Sequence, residues 1–277
     1  MVRLIAGLVG LFFSGMLLIS LVTGAYTAVT EPVPPTVESQ FVKHPKKVSF
    51  AHDGPFGAYD KAQLQRGLKV YAEVCAACHS LKLVAFRNFE EIGYSEDEVK
   101  AIAKGWKTEV PTINPETGEP ATRPGLPADK IPSPFANETA ARAANNNALP
   151  PDLSLMTKAR HNGPAYVYSL LTGYSAVPAS LPKENRPGTG LHYNPYFANL
   201  NIAMAAPITG DDQVTYDDGT KATKDQMAKD VAAFLTWTAE PKMEARKTAG
   251  WAALIFLIIF TGLCYLSYRT IWADKKH

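Results

Sequence analysis

The stretch VCAACHS, residues 74–80, places two thiols three residues apart and a histidine directly after the second. Cys75 and Cys78 are two of the 3 cysteines in this chain of 277 residues. Side chains at i and i+3 share one face of a helix, so both thiols can bond one group while the adjacent His79 reaches a metal at its centre. This spacing predicts covalent attachment of one haem through two thioethers, with His79 as an axial ligand of the iron.

Other chemistries of paired thiols fit the sequence less well. A disulfide between Cys75 and Cys78 closes only a small loop and stabilises little. A thioredoxin-like pair needs a βαβ setting, which the pattern around these residues does not predict. A zinc site needs about four ligands, and the sequence has no second Cys/His cluster at zinc spacing. The third cysteine, Cys264, lies in an apolar run, where a thiol is typically a small inert group.

The second axial ligand has more than one candidate. We expect Met204, in the loop NPYFANLNIAMAAP, to close over the haem face opposite His79. Met156, after PPDLSL, and the remaining histidines are alternatives, and a methionine that merely fills the core is the commoner case. Ligation by His and Met raises the reduction potential and leaves no open coordination position, as suits electron transfer.

Both ends of the chain are apolar, whereas the middle is polar and rich in Pro and Gly. The run from Leu4 to Val22 follows Arg3 and precedes small residues, a layout typical of an export signal. A retained membrane anchor is the alternative, because the run is long for a signal. The uncharged run Gly250–Tyr268 spans about 28 Å as a helix, so it predicts a transmembrane anchor.

These features divide the chain into four predicted parts. Because haem c is attached on the exported side of a membrane, we expect the haem domain outside and the C-terminal tail inside. The parts are an export signal (1–25), a periplasm-facing haem domain (26–245), a transmembrane anchor (246–270) and a cytoplasmic tail (271–277). The location is then a bacterial inner membrane. A net charge of +2, without a basic run interleaved with aromatics, predicts no nucleic-acid partner.

The periodicity predicts a mainly α protein with few strands. One helix begins near Asp60 and places Leu64, Leu68 and Tyr71 on one face. In YSEDEVKAIAKGW, Ser95 and Glu98 predict a capping box. Further helices are expected over Glu138–Ala144, 163–174 and 223–241, whereas 107–152 and 178–222 are otherwise expected to be irregular. Loops of such length usually cover a site or contact a partner.

Over roughly residues 50–273 the chain resembles the cytochrome c1 family, the haem subunits of the cytochrome bc1 (ubiquinol:cytochrome c oxidoreductase) complex. The resemblance rests on RGLKVYAEVCAACHSLKL, AARAANNNALPPDLSLMTKAR, YVYSLLTGY, GLHYNPYFANLNIAMAAP and DVAAFLTWTAEPKMEARK, followed by one C-terminal span. It implies a class I cytochrome c-type haem domain with long irregular loops, plus one C-terminal transmembrane helix.

The resemblance also implies the roles of single residues. It makes Cys75 and Cys78 the thioether anchors of one haem c, and His79 and Met204 the axial ligands. Arg123, in the family's RPG segment, would lie near a haem propionate, and ALPPDLS would pack against the haem. Some members carry an extra cysteine pair in the middle loops, which this sequence lacks.

The same resemblance implies partners. Electrons would arrive from the Rieske iron–sulfur protein, reduced by quinol at cytochrome b, and leave to a soluble or membrane-tethered c-type cytochrome. The chain would belong to a quinol:cytochrome c oxidoreductase without being catalytic on its own. Acidic pairs could steer a basic acceptor, or could simply form a solvated surface; they are Glu90–Glu91, Glu96–Glu98, Asp211–Asp212 and Asp217–Asp218.

Two rival functions remain open at this point. A membrane-anchored cytochrome of another respiratory enzyme would share the haem motif but not the PPDLS and AEP-anchor context. A thiol-redox or metal-binding protein would use Cys75 and Cys78 without haem.

Overall fold

Helices form most of the regular structure, as the periodicity predicted. The computed structural model describes residues 1–31 and 34–275, so part of the proline-rich lead-in and the end of the predicted tail lie outside the described residues. The chain divides into two units, residues 1–41 and 42–277. The first unit contains α1 (Val2–Thr30) and the short helix α2 (Val37–Phe41). Helix α1 therefore continues past the predicted signal segment, and α2 lies in a stretch for which the sequence analysis predicted no helix.

The second unit consists of helices joined by long loops. Its helices are α3 (Lys61–Val70), α4 (Glu96–Lys104), α5 (Glu138–Ala144), α6 (Gly163–Leu171), α7 (Lys224–Ala239) and α8 (Met243–Trp272). A π-helical turn (Tyr71–Cys75) continues α3, and 3₁₀ turns lie at Phe86–Ile92 and Lys183–Asn185. Two antiparallel hairpins pair β1 (Val110–Ile113) with β2 (Pro120–Arg123) and β3 (His192–Tyr193) with β4 (Asn201–Ile202).

Side-chain caps start the principal helices where the sequence predicted. Ser95 and Glu98 form the complete capping box of α4. Asp60 accepts from the Gln63 backbone N–H at 3.2 Å to begin α3. The Gln63 side chain does not return to Asp60, because it is used in a buried contact with α7. Each cap satisfies a backbone N–H that the first helical turn leaves unpaired.

The β1–β2 hairpin is a structural element that the sequence analysis did not predict. It lies in the segment 107–152, whose prolines indicated irregular structure. In a two-stranded ribbon each strand keeps one unpaired edge, so prolines are tolerated there. The Gly118 N–H donates to the Asn114 carbonyl at 2.9 Å and closes the turn. Gly118 has a φ of +72°, a conformation that favours glycine.

The core is organised around the crossing of α3 and α7. Gly67 faces α7 so closely that an added Cβ would collide with the Asp230 carbonyl oxygen and lie 2.6 Å from the Phe234 Cβ. The absence of a side chain at this position lets the two backbones approach.

A buried carboxylate pairs the same two helices. The Asp230 side chain is 0% exposed and accepts from Gln63 Nε2 at 3.0 Å, Gln226 Nε2 at 2.8 Å and Arg66 Nε at 3.0 Å. A buried charge is tolerated when it is paired and fully hydrogen-bonded. These bonds therefore define how α3 is aligned along α7.

Aromatic side chains fill the core beside this crossing. Tyr71 lies between Phe234 of α7 and Trp106, with ring centroids 5.9 and 6.3 Å away. Phe86 contacts Trp106 edge-on at 5.4 Å. Tyr71, Phe86 and Phe234 are fully buried, so the end of α3 is embedded in the centre of the domain.

Gly67→Ala should destabilise the domain, because the added methyl group meets the backbone of α7. We expect a loss of about 1–3 kcal/mol, as for other overpacked core sites, although alanine by itself favours a helix. Thermal and urea unfolding of the full-length protein, followed by circular dichroism, measures the loss. Gly210→Ala is the control, because its Cβ would meet nothing within 4 Å; equal stability of the two variants would contradict the close crossing.

Candidate haem-binding site

The turn that carries Cys75, Cys78 and His79 is closed by its own backbone. The Ala76 N–H donates to the Tyr71 carbonyl at 2.8 Å, which forms the π-helical turn. The N–H groups of Cys78 and His79 then both donate to the Cys75 carbonyl, at 3.1 and 2.9 Å. Cys75 is partly buried and Cys78 is exposed. The helix that began at Asp60 therefore delivers both thiols and the imidazole in one compact turn.

Tyr71 connects this turn to the hydrophobic core. Its hydroxyl donates to the His79 carbonyl at 2.9 Å while its ring is fully buried. Burial raises the pKa of the Tyr71 phenol, so the hydroxyl stays protonated and remains a donor. The backbone of His79 is thus fixed by a residue of the same aromatic core that packs against α7.

The imidazole of His79 is oriented by a distant segment of the chain. Its Nδ1 lies 2.8 Å from the Pro151 carbonyl oxygen, which can only accept. Nδ1 therefore carries the proton and Nε2 holds the free lone pair. Burial lowers the pKa of His79, partly offset by this bond, so the neutral ligand form is favoured. A metal-binding histidine typically has this second hydrogen bond, so the donor chemistry fits a haem iron.

Asp152 holds the PPDLS loop against the residues that follow His79. Its carboxylate accepts from the Ser80 hydroxyl and the Lys82 N–H, both at 2.8 Å, and from the Ser154 N–H at 2.9 Å. Burial alone would raise the pKa of Asp152, but bonds from Ser154, Lys82 and Ser80 outweigh it and hold the pKa below its usual value. The Leu153 N–H donates back to the Ser80 carbonyl at 2.9 Å. Two segments far apart in sequence thus form one rigid unit.

Met204 is partly buried in the loop after β4, and its backbone is held from α6. The Tyr174 hydroxyl donates to the Met204 carbonyl at 2.9 Å. Asn194, which follows β3, donates from Nδ2 to the Leu170 carbonyl at 2.8 Å. The loop that carries Met204 and the hairpin before it are therefore both tied to the end of α6.

Met156, the alternative ligand, has a different setting. It lies just after the PPDLS loop and packs against the buried core cluster, as Val74 does. This placement favours a packing role for Met156 and leaves Met204 as the predicted ligand.

Arg123 ends strand β2 and forms a bidentate ion pair with Asp129, at 2.5 and 2.8 Å. Among the described residues its hydrogen bonds go to Asp129 and the Pro124 carbonyl. The following Gly125 packs so tightly that a Cβ would lie 2.7 Å from the Ala103 carbonyl oxygen and 3.1 Å from the Phe86 ring. Gly125 is thus packed against the domain core, and the propionate contact of Arg123 stays a prediction.

The acidic pairs are only partly free surface. Asp217 and Asp218 bind Lys69 and Arg66, at 2.8 and 2.6 Å. Glu98 caps α4, and Asp211 accepts from the Lys224 N–H at 2.8 Å. These carboxylates bind other groups of the same chain. This favours a role in the fold over the steering of a basic acceptor.

Four groups important for the site were not singled out from the sequence. They are the Pro151 carbonyl, Asp152, Tyr71 as a donor and Tyr174. The motif D-x-S in PPDLS is typical of a local turn in which an Asp side chain accepts from the backbone two residues on, so Asp152 had a detectable signal. The partners of Tyr71 and Tyr174 depend on the tertiary fold.

Comparison with known proteins identifies the family of this chain. Residues 50–275 match the cytochrome C1 family. The chain belongs to the cytochrome c1 family. It is 47% identical over 243 residues to cytochrome c1 of Rhodospirillum rubrum, covering 83% of this chain and 88% of that protein. It is 45% identical over 237 residues to the cytochrome b-c1 complex catalytic subunit of Candida albicans, covering 84% and 79%.

A third relative is longer than this chain. The protein named cytochrome b/c1 of Bradyrhizobium diazoefficiens is 49% identical over 247 residues, which cover 83% of this chain but only 35% of that protein. Membership of the family confirms the predicted fold class, a mainly α cytochrome c-type haem domain with long loops and a C-terminal apolar helix. It also establishes the general role of a haem electron carrier.

The membrane prediction is supported by the helices themselves. Helices α1 and α8 are both long and apolar enough to cross a membrane, by length and composition. Helix α8 contains the predicted anchor 246–270 and begins within the haem domain at Met243. The length and composition of α8 are those expected of a membrane anchor.

Asp152→Asn should loosen the PPDLS loop. Either orientation of the new amide places an NH₂ group against a backbone N–H, of Lys82 or of Ser154, so we expect a loss of about 1–3 kcal/mol. Hydrogen exchange of the Lys82, Leu83 and Ser154 amides should accelerate while the amides of α7 change little.

The matched control for this change is Asp212→Asn, at an exposed position. It should leave the same amides protected. Unchanged exchange in Asp152→Asn would show that the carboxylate does not hold the loop.

Proposed function

We propose that this chain is the membrane-anchored, monohaem electron carrier of a quinol-oxidising bc1 complex. The observation that carries the proposal is the arrangement of His79, whose Nδ1 is used by the Pro151 carbonyl while Nε2 is available in a turn that also presents Cys75 and Cys78. Cys75 and Cys78 would hold one haem c through two thioethers, and His79 and Met204 would bind its iron.

The bound haem would supply a site for the reversible uptake of one electron. The residues of this chain hold and tune it. Pro151 keeps the proton of His79 on Nδ1, and Tyr71 keeps the backbone of His79 in place. Tyr174 holds the Met204 loop at its carbonyl, so that the thioether can stay bound without a large loss of freedom. With His79 and Met204 both bound, the iron would have no open position for water or other small ligands, which suits electron transfer rather than substrate chemistry.

We also propose that the guanidinium of Arg123 binds a haem propionate. The Asp129 carboxylate holds its guanidinium in a planar, bidentate geometry. Such a pair still leaves N–H donors for a second anion. Binding of a propionate by Arg123 would place the RPG segment beside the haem.

The thiol-redox rival is less compatible with the site. The pKa of the Cys75 thiol is raised to about 12, mainly by burial and to a smaller extent by the nearby Cys78. Reactive thiols need a lowered pKa. A metal site is also unsupported, because within residues 1–31 and 34–275 no group of three or more His, Cys, Asp or Glu side chains could hold an ion.

The partners are proposed from the family role. One relative is named as a subunit of a cytochrome b-c1 complex, and the longer bacterial relative is named cytochrome b/c1. We infer that this chain contacts cytochrome b, accepts electrons from the Rieske iron–sulfur protein and passes them to a mobile c-type cytochrome. Glu90 and Glu91 remain the acidic pair for which steering of a basic acceptor is proposed.

The same proposal covers topology. Residues 1–25 act as an export signal, 26–245 form the haem domain on the periplasmic side of a bacterial inner membrane, 246–270 cross it and 271–277 lie in the cytoplasm. Attachment of haem c on the exported side supports this orientation.

Quinol should reduce the c-type haem of the protein purified in mild detergent with its bound subunits. A reduced-minus-oxidised spectrum should show b-type haem beside the covalent c-type haem, which survives on a denaturing gel. Cys75→Ala combined with Cys78→Ala should abolish the haem stain on that gel. Covalent haem with no response to quinol, in a preparation that retains b-type haem, would assign the chain to another enzyme.

Met204→Leu should lower the reduction potential strongly, because loss of a thioether ligand removes a group that stabilises the reduced iron. Met156→Leu, a change of similar size in the packed core, should leave the potential nearly unchanged and only slightly reduce stability. Redox titration of both full-length variants makes the comparison. A large shift of the reduction potential in Met156→Leu, with none in Met204→Leu, would make Met156 the ligand and Met204 the packing residue.

A further inference from the structure

The loop of residues 52–57 is bound along the first turns of α8. Lys247 Nζ donates to the carbonyls of His52 and Gly57, each at 2.8 Å. The Trp251 indole N–H donates to a third carbonyl of the loop at 3.3 Å. Three side-chain bonds from one helix therefore set the position of the loop relative to that helix.

The loop is also rigid in itself. The Ala58 N–H donates to the Ala51 carbonyl at 3.2 Å, and this bond joins the two ends of the loop. Gly54 adopts a φ of +71°, and a Cβ on Gly57 would collide with the Asp53 carbonyl. The chain therefore turns tightly here and presents residues 55–56 in a fixed orientation.

Phe56 is the side chain that this loop presents. It is 80% exposed, yet its ring is stacked on Trp251 with centroids 4.9 Å apart and planes only 3° from parallel. Phe56 forms one apolar surface with Trp251 and the exposed Leu254 of α8. A contiguous apolar surface of this kind indicates an apolar partner.

The position of Trp251 along α8 indicates what that partner is. Trp251 directly follows Gly250, where the uncharged run of the anchor begins, and Lys247 and Arg246 lie about 6 and about 7.5 Å earlier along the helix axis. Basic residues followed by aromatic residues are typical of the level at which a helix enters the bilayer interface. Because Phe56 is stacked on Trp251, its ring lies at this same level.

A shallow cleft of about 420 Å³, largely open to the outside, lies between the loop and the helix. Pro55, Trp251 and Leu254 supply apolar walls, and Arg246 and Lys247 supply cationic groups. Arg246 is 62% exposed and uses its Nε for Glu240, so its terminal nitrogens can reach an anion. A cleft that is apolar on one side and cationic on the other matches a phospholipid, with its phosphate above its acyl chains.

We propose that loop 52–57 is a membrane-interface contact of this protein. Phe56 and Trp251 enter the interfacial layer together, and the cleft beside them holds a phospholipid whose phosphate binds Arg246. The contact fixes the height and tilt of the haem domain over the membrane, since the loop is continuous with α3. It rests on the proposed function only in that α8 must be the membrane anchor.

Spin labels test the contact in the full-length holoprotein, reconstituted with its bound subunits into phosphatidylcholine–phosphatidylglycerol nanodiscs. A nitroxide is placed at Phe56→Cys in a Cys264→Ser background, where the haem-bound thiols do not react. Ile113→Cys, at an exposed apolar position on the β1–β2 hairpin, is the control in the same background. Native Cys264 carries the label in a third sample and reports on α8 itself. Power saturation compares collisions with oxygen, which enters lipid, and with a water-soluble nickel chelate.

We expect the oxygen-to-nickel collision ratio to be several-fold higher at position 56 than at position 113, and higher still at Cys264. A ratio at 56 equal to that at 113, with a lipid-exposed Cys264, would overturn the membrane contact and leave the anchor intact. Exclusion of both reagents from position 56 would also overturn it, because a protein subunit would then cover the loop. A water-exposed Cys264 would contradict the anchor, and with it this part of the proposed function.

Discussion

The close crossing of α3 and α7 is the constraint on which the rest of the haem domain depends. Gly67 permits the approach, and the buried Asp230 aligns the two helices through Gln63 and Arg66. Because α3 runs directly into the turn that carries the thiols, any shift of this crossing moves the site. The other end of α7 leads into α8, so the same helix pair also relates the site to the membrane anchor.

The site itself is built mainly from backbone carbonyls held by side chains. Tyr71 and Tyr174 fix the carbonyls of His79 and Met204, and the Pro151 carbonyl fixes the imidazole. Such contacts position a ligand without introducing a charge that would change with pH near neutrality. Two independent supports, one from the core and one from Tyr174 just after α6, therefore hold the backbones of His79 and Met204.

The junction between the domain and α8 is also held by contacts from several residues. The buried Met243 begins the helix inside the domain, and Tyr59 donates its backbone N–H to Glu244 at 2.7 Å. Loop 52–57 then adds the contacts of Lys247 and Trp251. The anchor is thus joined to the domain along several turns rather than at one flexible point, so the orientation of α8 and that of the haem site are mechanically linked.

Local patterns in the sequence by themselves determined the thiol–histidine turn, the capped starts of α3 and α4, and the apolar length of α8. Each depends on residues a few positions apart, and such spacings are visible in a single chain. Tertiary structure alone decided the partner of His79, which lies 72 residues away, and the use of Gln63 on Asp230 instead of on its own cap. It also decided the β1–β2 hairpin and the stacking of Phe56 on Trp251. Contacts between distant segments leave no periodic signal, because their free energy arises only when packing brings the two surfaces together.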